Sequence, residues 1–256
     1  MLFSVVPLLS MFTAALHEQG TSPSGIEWPA NPQWHNFIDA WQVADVTPLL
    51  ISSILLVLGV VPVGVLLATM AGYGLGQLRV PGGAIFFVLL LLGLTLPREA
   101  TIVPIYYQIR DMGLLNTKLG LILVLIGLFM PFSVFWMRAH FVTMPQELGE
   151  AAAMDGAGAW QSFVRIQVPL AVPAMASLAL LLFLWTWNTF LEAIVLIDDP
   201  TQRTMAGALQ NFVGLHSTDI VLLNAGALLI MAPTIVAFLF FQRHFIKAMI
   251  SGSVKG

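Results

Sequence analysis

The sequence from residue 47 to residue 78, TPLLISSILLVLGVVPVGVLLATMAGYGLGQL, contains no charged side chain. A helix needs about 20 mostly apolar residues to cross the hydrocarbon core of a bilayer, which is about 30 Å thick. This stretch is longer than that minimum and carries no ionised group that hydrocarbon would exclude. It therefore predicts a membrane-spanning helix.

Similar apolar windows occur on both sides of this stretch. Together they predict an all-α, polytopic membrane protein with six transmembrane helices, folded as a single domain over residues 1–256. The predicted spans are residues 1–16, 48–76, 84–108, 119–139, 167–195 and 219–243.

The first window is short for a span, because 16 helical residues rise only about 24 Å. A secretory signal peptide is the competing interpretation, but such a peptide begins with a basic segment. No Lys or Arg precedes the apolar run here. We therefore expect a true first span, with further residues upstream of Met1.

Composition excludes several classes of function. Hydrophobic residues make up 58% of the chain and charged residues 9%, whereas about a quarter of a soluble domain is charged. The net charge of −3 offers no basic stripe for nucleic acid, and the absence of cysteine excludes thiolate sites. There is no phosphate-binding G-x-x-x-x-G-K-[ST] loop, no G-x-S-x-G elbow and no histidine cluster with metal-ligand spacing. We expect neither catalysis nor a cofactor or metal in this chain.

Basic residues set the expected orientation, because Lys and Arg are enriched in cytoplasmic loops. With both termini in the cytoplasm of a bacterial cell, the basic residues in cytoplasmic segments outnumber those outside. The cytoplasmic set is Arg79, Arg138, Arg165, Arg243, Lys247 and Lys255, and the outer set is Arg110, Lys118 and Arg203. The expected location is the inner, or plasma, membrane.

The loop between the fourth and fifth predicted spans, residues 143–169, reads TMPQELGEAAAMDGAGAWQSFVRIQVP. Thr143 and Gln146 have the spacing of a capping box, and three consecutive alanines favour a helix. Gly156 suits the position just past a helix end. The loop therefore predicts a short helix over residues 145–156 on the inner face of the membrane.

The same loop resembles the EAA loop of ABC importer permeases. In that family the loop is a coupling helix that docks on a cytoplasmic ATPase subunit. The resemblance implies that this role falls to Glu150, Ala151, Ala152, Asp155, Gly156, Ile166 and Pro169.

The C-terminal stretch, residues 242–256, resembles the second permease of maltose-type carbohydrate importers. Residues 114–117, 79–82 and 187–190 are similar to the same family, while Gln77, Ala248 and Glu192 depart from it. The resemblance implies import of a sugar or sugar-like solute. It also implies four partners: a second homologous permease, an ATPase dimer that binds ATP and Mg, an extracytoplasmic solute-binding protein and the lipid bilayer.

Polar groups inside predicted spans are candidates for the substrate path, because ionised side chains are costly in a bilayer. Arg98 and Glu99 interrupt the third span, where they line an aqueous cavity or form a structural ion-pair network. Asn188 and Glu192 are one helical turn apart in the fifth span, on one face, where they could hydrogen-bond a polyol; the alternative for Glu192 is an ordinary residue at the outer interface.

Two other functions compete with this interpretation. A secondary transporter driven by an ion gradient predicts inverted repeats with paired broken helices, and no such self-similarity is visible. A membrane scaffold explains neither the 143–169 loop nor the charges within the third span.

Overall fold

The structure, a computed structural model, describes residues 2–78, 80–212 and 219–253. This part of the chain is helical and contains no β-strand. The α-helices are α1 (Leu2–Ala15), α2 (Asn36–Val43), α3 (Val46–Gln77), α4 (Gly83–Gly93), α5 (Arg98–Asp111), α6 (Lys118–Val142), α7 (Glu147–Met154), α8 (Ala159–Ser162), α9 (Val168–Trp187), α10 (Leu191–Leu196) and α11 (Ile220–Ser253). A π-helical turn, Phe163–Gln167, joins α8 to α9, and 3₁₀ turns at Pro200–Gln202 and Met205–Phe212 precede α11.

The all-α, polytopic fold class is confirmed. Four helical stretches of the described chain are long and apolar enough to cross a membrane: Val46–Gln77, Lys118–Val142, Ala159–Trp187 and Ile220–Phe240. A fifth span results if α4 and α5 are counted together, while the apolar part of α1, Val5–Ala15, is shorter than this criterion requires. The number of six spans therefore stays a prediction. Two residues used for orientation, Arg79 and Lys255, lie outside the described residues.

The predicted third span, 84–108, stays a prediction, and the chain within it is not one continuous helix. The chain bends by 104° between α4 and α5. Pro97 stands at the break with an extended backbone (φ −66°, ψ 128°). It has no N–H for a helical hydrogen bond, and it disfavours a helical conformation at the preceding residue. Arg98 is consequently the first residue of α5 rather than part of a helix interior.

The predicted fifth span, 167–195, is likewise interrupted. α9 ends at Trp187, and α10 begins at Leu191 after a non-helical Phe190 (φ −123°, ψ −56°). Within the gap, the carbonyl of Thr189 accepts a hydrogen bond from the hydroxyl of Thr204. This tertiary partner satisfies a backbone acceptor at the point where the helix stops.

The chain forms two compact units, each made of two separate segments. The single domain predicted over residues 1–256 stays a prediction. The first unit comprises the chain up to Leu55 together with Trp187–Ala237. In it the amide of Asn36 donates to the carbonyls of Ala15 (2.9 Å) and His17 (2.7 Å), which caps the end of α1. The Ser53 hydroxyl accepts from the backbone N–H of Met205 at 2.7 Å.

The second unit comprises Leu56–Thr186 and the end of α11 from Phe238. Close approach of α3 and α6 organises it. A Cβ at Gly72 would lie 2.6 Å from the Met137 Cβ and 2.8 Å from the Arg138 nitrogen, so only glycine fits there. Small residues such as Gly72 thus allow these two helices to approach closely.

Candidate functional site

The helix predicted over residues 145–156 is present as α7, Glu147–Met154, but it starts differently from the expected capping box. Gln146 is its N-cap and makes no side-chain capping bond. Thr143 instead ends α6, where its hydroxyl donates to the carbonyl of His140 at 2.7 Å. The prediction of Thr143 as N-cap is wrong, because α6 continues through Val142 and uses Thr143 as its own C-cap.

The end of α7 is a Schellman motif centred on Gly156. The N–H of Ala157 donates to the carbonyl of Ala152 at 2.8 Å. The N–H of Gly156 donates to the carbonyl of Ala153 at 3.0 Å. Gly156 has φ +81°, which residues with a Cβ disfavour. The predicted position of Gly156 just past the helix end is therefore confirmed, and Asp155 is the last residue before the reversal.

One side of α7 is covered and the other is open. Ala152 is buried, whereas Glu150, Ala151, Asp155 and Met154 are exposed, Met154 at 89%. The open face thus combines carboxylates, small side chains and one large apolar side chain. Met154 was not singled out from the sequence, because a single methionine after an alanine run has no distinguishing pattern.

The chain returns towards α9 through α8 and the π-helical turn. The N–H of Gly158 bonds to the Gln161 side chain at 3.2 Å, and Trp160 is exposed at 64%. Ile166 lies half-buried in the π-helical turn, and Pro169 is exposed in the first turn of α9. Because α8, the π-helical turn and α9 form one helical stretch, Pro169 lacks an N–H that a helical hydrogen bond to the preceding turn would use.

The end of α3 holds this loop in place. The side-chain amide of Gln77 donates to the carbonyls of Phe141 and, at 3.2 Å, Met144. The Tyr73 ring packs against the ring of Phe163 with centroids 4.9 Å apart. Gln77, a departure from the family pattern, therefore tethers the chain that leads into α7.

Arg98 and Glu99 are both exposed within this chain. The Arg98 guanidinium lies 5.3 Å from the centroid of the Phe129 ring, a distance typical of a cation–π contact. The chain by itself leaves both residues exposed, and the aqueous cavity and the ion-pair network expected for them stay predictions.

Asn188 and Glu192 do not share one face of a continuous helix, so that prediction is wrong. Asn188 is exposed in the turn that follows α9, whereas Glu192 is buried in α10 with 6% exposure. The break at Thr189 separates them. No group of three His, Cys, Asp or Glu side chains in the described chain has a geometry for holding a metal ion.

Comparisons with known proteins agree on one family. Residues 3–251 match the family described as the binding-protein-dependent transport system inner membrane component. The chain is 35% identical over 231 residues to a probable ABC transporter permease protein, YurM, of Bacillus subtilis, covering 90% of this chain and 77% of YurM. It is 32% identical over 256 residues to the trehalose transport system permease protein SugB of Mycobacterium tuberculosis, covering 99% and 93%.

A solved structure has the same fold. The crystal structure of a bacterial ABC transporter involved in the import of the acidic polysaccharide alginate contains a chain that superimposes with a TM-score of 0.81. The match covers 95% of this chain and 91% of that one at 20% identity.

Proposed function

The chain belongs to the family of binding-protein-dependent transport system inner membrane components, and from this premise we propose that it moves a sugar or sugar-like solute into the cytoplasm. It is a permease subunit of an ABC importer. The energy for transport comes from a separate ATPase subunit that binds ATP and Mg, because this sequence has no phosphate-binding loop.

The observation that carries the proposal is α7 with its glycine-capped end. A coupling element must present a defined contact that differs between two states of the transporter. α7 is held by a Schellman turn at Gly156, is tethered through α3, and offers an exposed face. We assign it as the coupling helix, with Glu150 as the charged contact to the ATPase.

The substrate class is supported by the relatives. SugB is named as a trehalose transport permease and covers almost all of this chain at 32% identity. The alginate importer supports the fold alone. We propose a sugar or sugar-like solute, delivered by an extracytoplasmic binding protein, as the substrate.

The proposed topology has six spans with both termini in the cytoplasm, including α1 as the first span and α4 with α5 as a bent third. It places α7 inside the cell, where an ATPase is accessible. The chain has no native cysteine, so single cysteines report its sidedness directly.

We expect an impermeant thiol reagent added outside whole cells to modify Ser22→Cys but not Gly158→Cys. Both positions are exposed, and a Cβ at Gly158 meets no atom within 4 Å. After the cells are opened, both cysteines should react, which controls for their accessibility. Modification of Gly158→Cys from outside would contradict the topology.

We also propose that the solute passes between this chain and a second permease. Arg98 and Glu99, exposed here, would be covered at that junction, since lipid exposure of charge is costly. On the outer side, Asn188 is exposed at the end of α9, and the buried Glu192 shapes the start of α10.

Replacing both Asn188 and Glu192 by Ala should lower uptake and substrate-stimulated ATP hydrolysis several-fold in proteoliposomes. Asn188→Ala alone should raise the concentration for half-maximal uptake, because its exposed side chain would contact solute, whereas Glu192→Ala should act mainly through stability. Asp198→Ala, an exposed carboxylate nearby, is the control and should have little effect. Unchanged uptake in the double variant would remove both residues from the path.

The alternative, a secondary transporter driven by an ion gradient, is not favoured, because the family is one of binding-protein-dependent systems. Uptake into proteoliposomes should require ATP on the ATPase side and should persist when ionophores collapse the ion gradients.

A further inference from the structure

A polar cavity of about 350 Å³ lies behind α7. Its walls come from the end of α3, from α7 and the residue before it, and from α8 with the π-helical turn. The polar side chains on these walls are Tyr73, Gln77, Gln146, Glu150, Ser162 and Gln167. We refer to this space as the polar cavity.

Two of these side chains are buried without hydrogen-bond partners. Gln167 is 0% exposed, and neither its Oε1 nor its Nε2 has a hydrogen-bond partner. Ser162 is 5% exposed, and its Oγ also has no hydrogen-bond partner. Leaving a buried polar group unsatisfied is destabilising, because the group loses its hydrogen bonds to water without replacement. Such groups are few in native proteins, and each one calls for a specific explanation.

The backbone at this point is unusual as well. Ser162 directly precedes the π-helical turn Phe163–Gln167, and Gln167 is the last residue of that turn. Both residues lie on the wall of the polar cavity. π-helical turns are rare and occur frequently at functional sites. The sequence alone did not indicate this site, because neither residue forms a recognisable motif.

The lining defines the chemistry of an occupant. Among the residues that the structure describes, no Lys or Arg lines the polar cavity, and the one carboxylate on its wall, Glu150, is exposed. A phosphate or carboxylate would find no cation among these lining residues. An amide and a hydroxyl, by contrast, offer donors and acceptors to a neutral molecule that carries both, as hydroxyl groups do. The volume is at the lower end of the range for small-molecule pockets, about 300–1,000 Å³.

We propose that the polar cavity is a binding site for a small, neutral, polyhydroxylated molecule of about monosaccharide size, hydrogen-bonded by Gln167 and Ser162. The proposal of a binding site depends only on the geometry and the lining of the cavity. Its consequence, that occupancy biases the position of α7 and so regulates transport, rests on the proposed function of α7.

The test uses the assembled transporter with one cysteine introduced at Ala153→Cys, on the cavity wall. Mass spectrometry of this subunit measures the rate at which a small thiol reagent modifies the cysteine. The rate is compared without and with glucose, which is the probe. At ten times the dissociation constant, modification should slow by roughly tenfold. Glu147→Cys, exposed on the same helix outside the cavity, should react at an unchanged rate.

Two further comparisons identify the recognition chemistry. Glucose 6-phosphate should not protect Ala153→Cys, because the described lining residues offer no cation. Adding Gln167→Leu should abolish protection by glucose and raise the unfolding temperature of the free protein, since it removes two unsatisfied buried groups. Ser162→Ala should weaken the protection of the cysteine by glucose. This variant provides the test if the Gln167→Leu variant does not assemble.

The outcomes separate the two claims. Absence of protection by glucose, or equal protection by glucose 6-phosphate, overturns the proposed site and leaves the permease assignment intact. Protection that depends on Gln167, with unchanged ATP hydrolysis on glucose addition, supports the site and overturns its regulatory consequence.

Discussion

Gly156→Val should lower uptake by about tenfold or more while leaving membrane insertion intact. The backbone at this residue has φ +81°, and a side chain with a Cβ in the left-handed region costs about 1–2 kcal/mol, with branched side chains at the upper end. About 1.4 kcal/mol changes an equilibrium tenfold. The strain would be relieved by opening the Schellman turn, which would shift α7 relative to its proposed partner. Solute uptake and ATPase retention on purification measure the effect.

The chain supplies a matched control for this substitution. Gly158 is two residues away, and at both positions a Cβ would meet no atom within 4 Å. Gly158 has φ −71°, so Gly158→Val should retain most of the uptake. Gly156→Asn should fall between glycine and valine, because asparagine tolerates the left-handed conformation. Equal uptake by both valine variants would show that the conformation of Gly156 is unimportant for coupling.

Glu150→Lys should detach the ATPase or strongly reduce its hydrolysis in response to substrate. Glu150 is exposed on α7, two residues before the buried Ala152 that packs the helix against its own chain. If a basic group of the ATPase faces Glu150, reversing the charge places like charges together in an interface, which costs several kcal/mol. Affinity for the ATPase, measured at two salt concentrations, gives the effect and its electrostatic part.

Two related variants separate position from net charge. Glu150→Gln keeps the shape and removes the charge, so it should weaken the complex less than Glu150→Lys and make it less sensitive to salt. Glu147→Lys makes the same charge change one turn earlier on the same helix and should have a much smaller effect. If both lysine variants weaken the complex equally, Glu150 has no specific contact.

Long apolar stretches were predictable from the sequence because length and absence of charge are sufficient criteria. The span predicted over 48–76 corresponds to α3, and the one over 119–139 corresponds to α6. The end of α7 was also predictable, since a glycine after an alanine-rich run points to a positive φ. These features depend on local chemistry alone.

Features that depend on tertiary partners were not predictable in this way. The break between α9 and α10 is associated with the hydroxyl of Thr204, which is distant in sequence from the carbonyl of Thr189 that it meets. Thr143 was expected to cap α7, but either of two adjacent helices can use a threonine at such a boundary. The polar cavity requires three segments to meet, so the isolated residues Ser162 and Gln167 gave no signal.

The claim that α7 docks on the ATPase can be tested by photo-crosslinking from Met154. This side chain is 89% exposed on α7, so a photoreactive amino acid in its place should not disturb the fold. In the assembled transporter, the account predicts an adduct with the ATPase subunit from position 154 and none with it from position 22. An adduct of position 154 with the solute-binding protein, or none with the ATPase in an intact complex, would contradict the account.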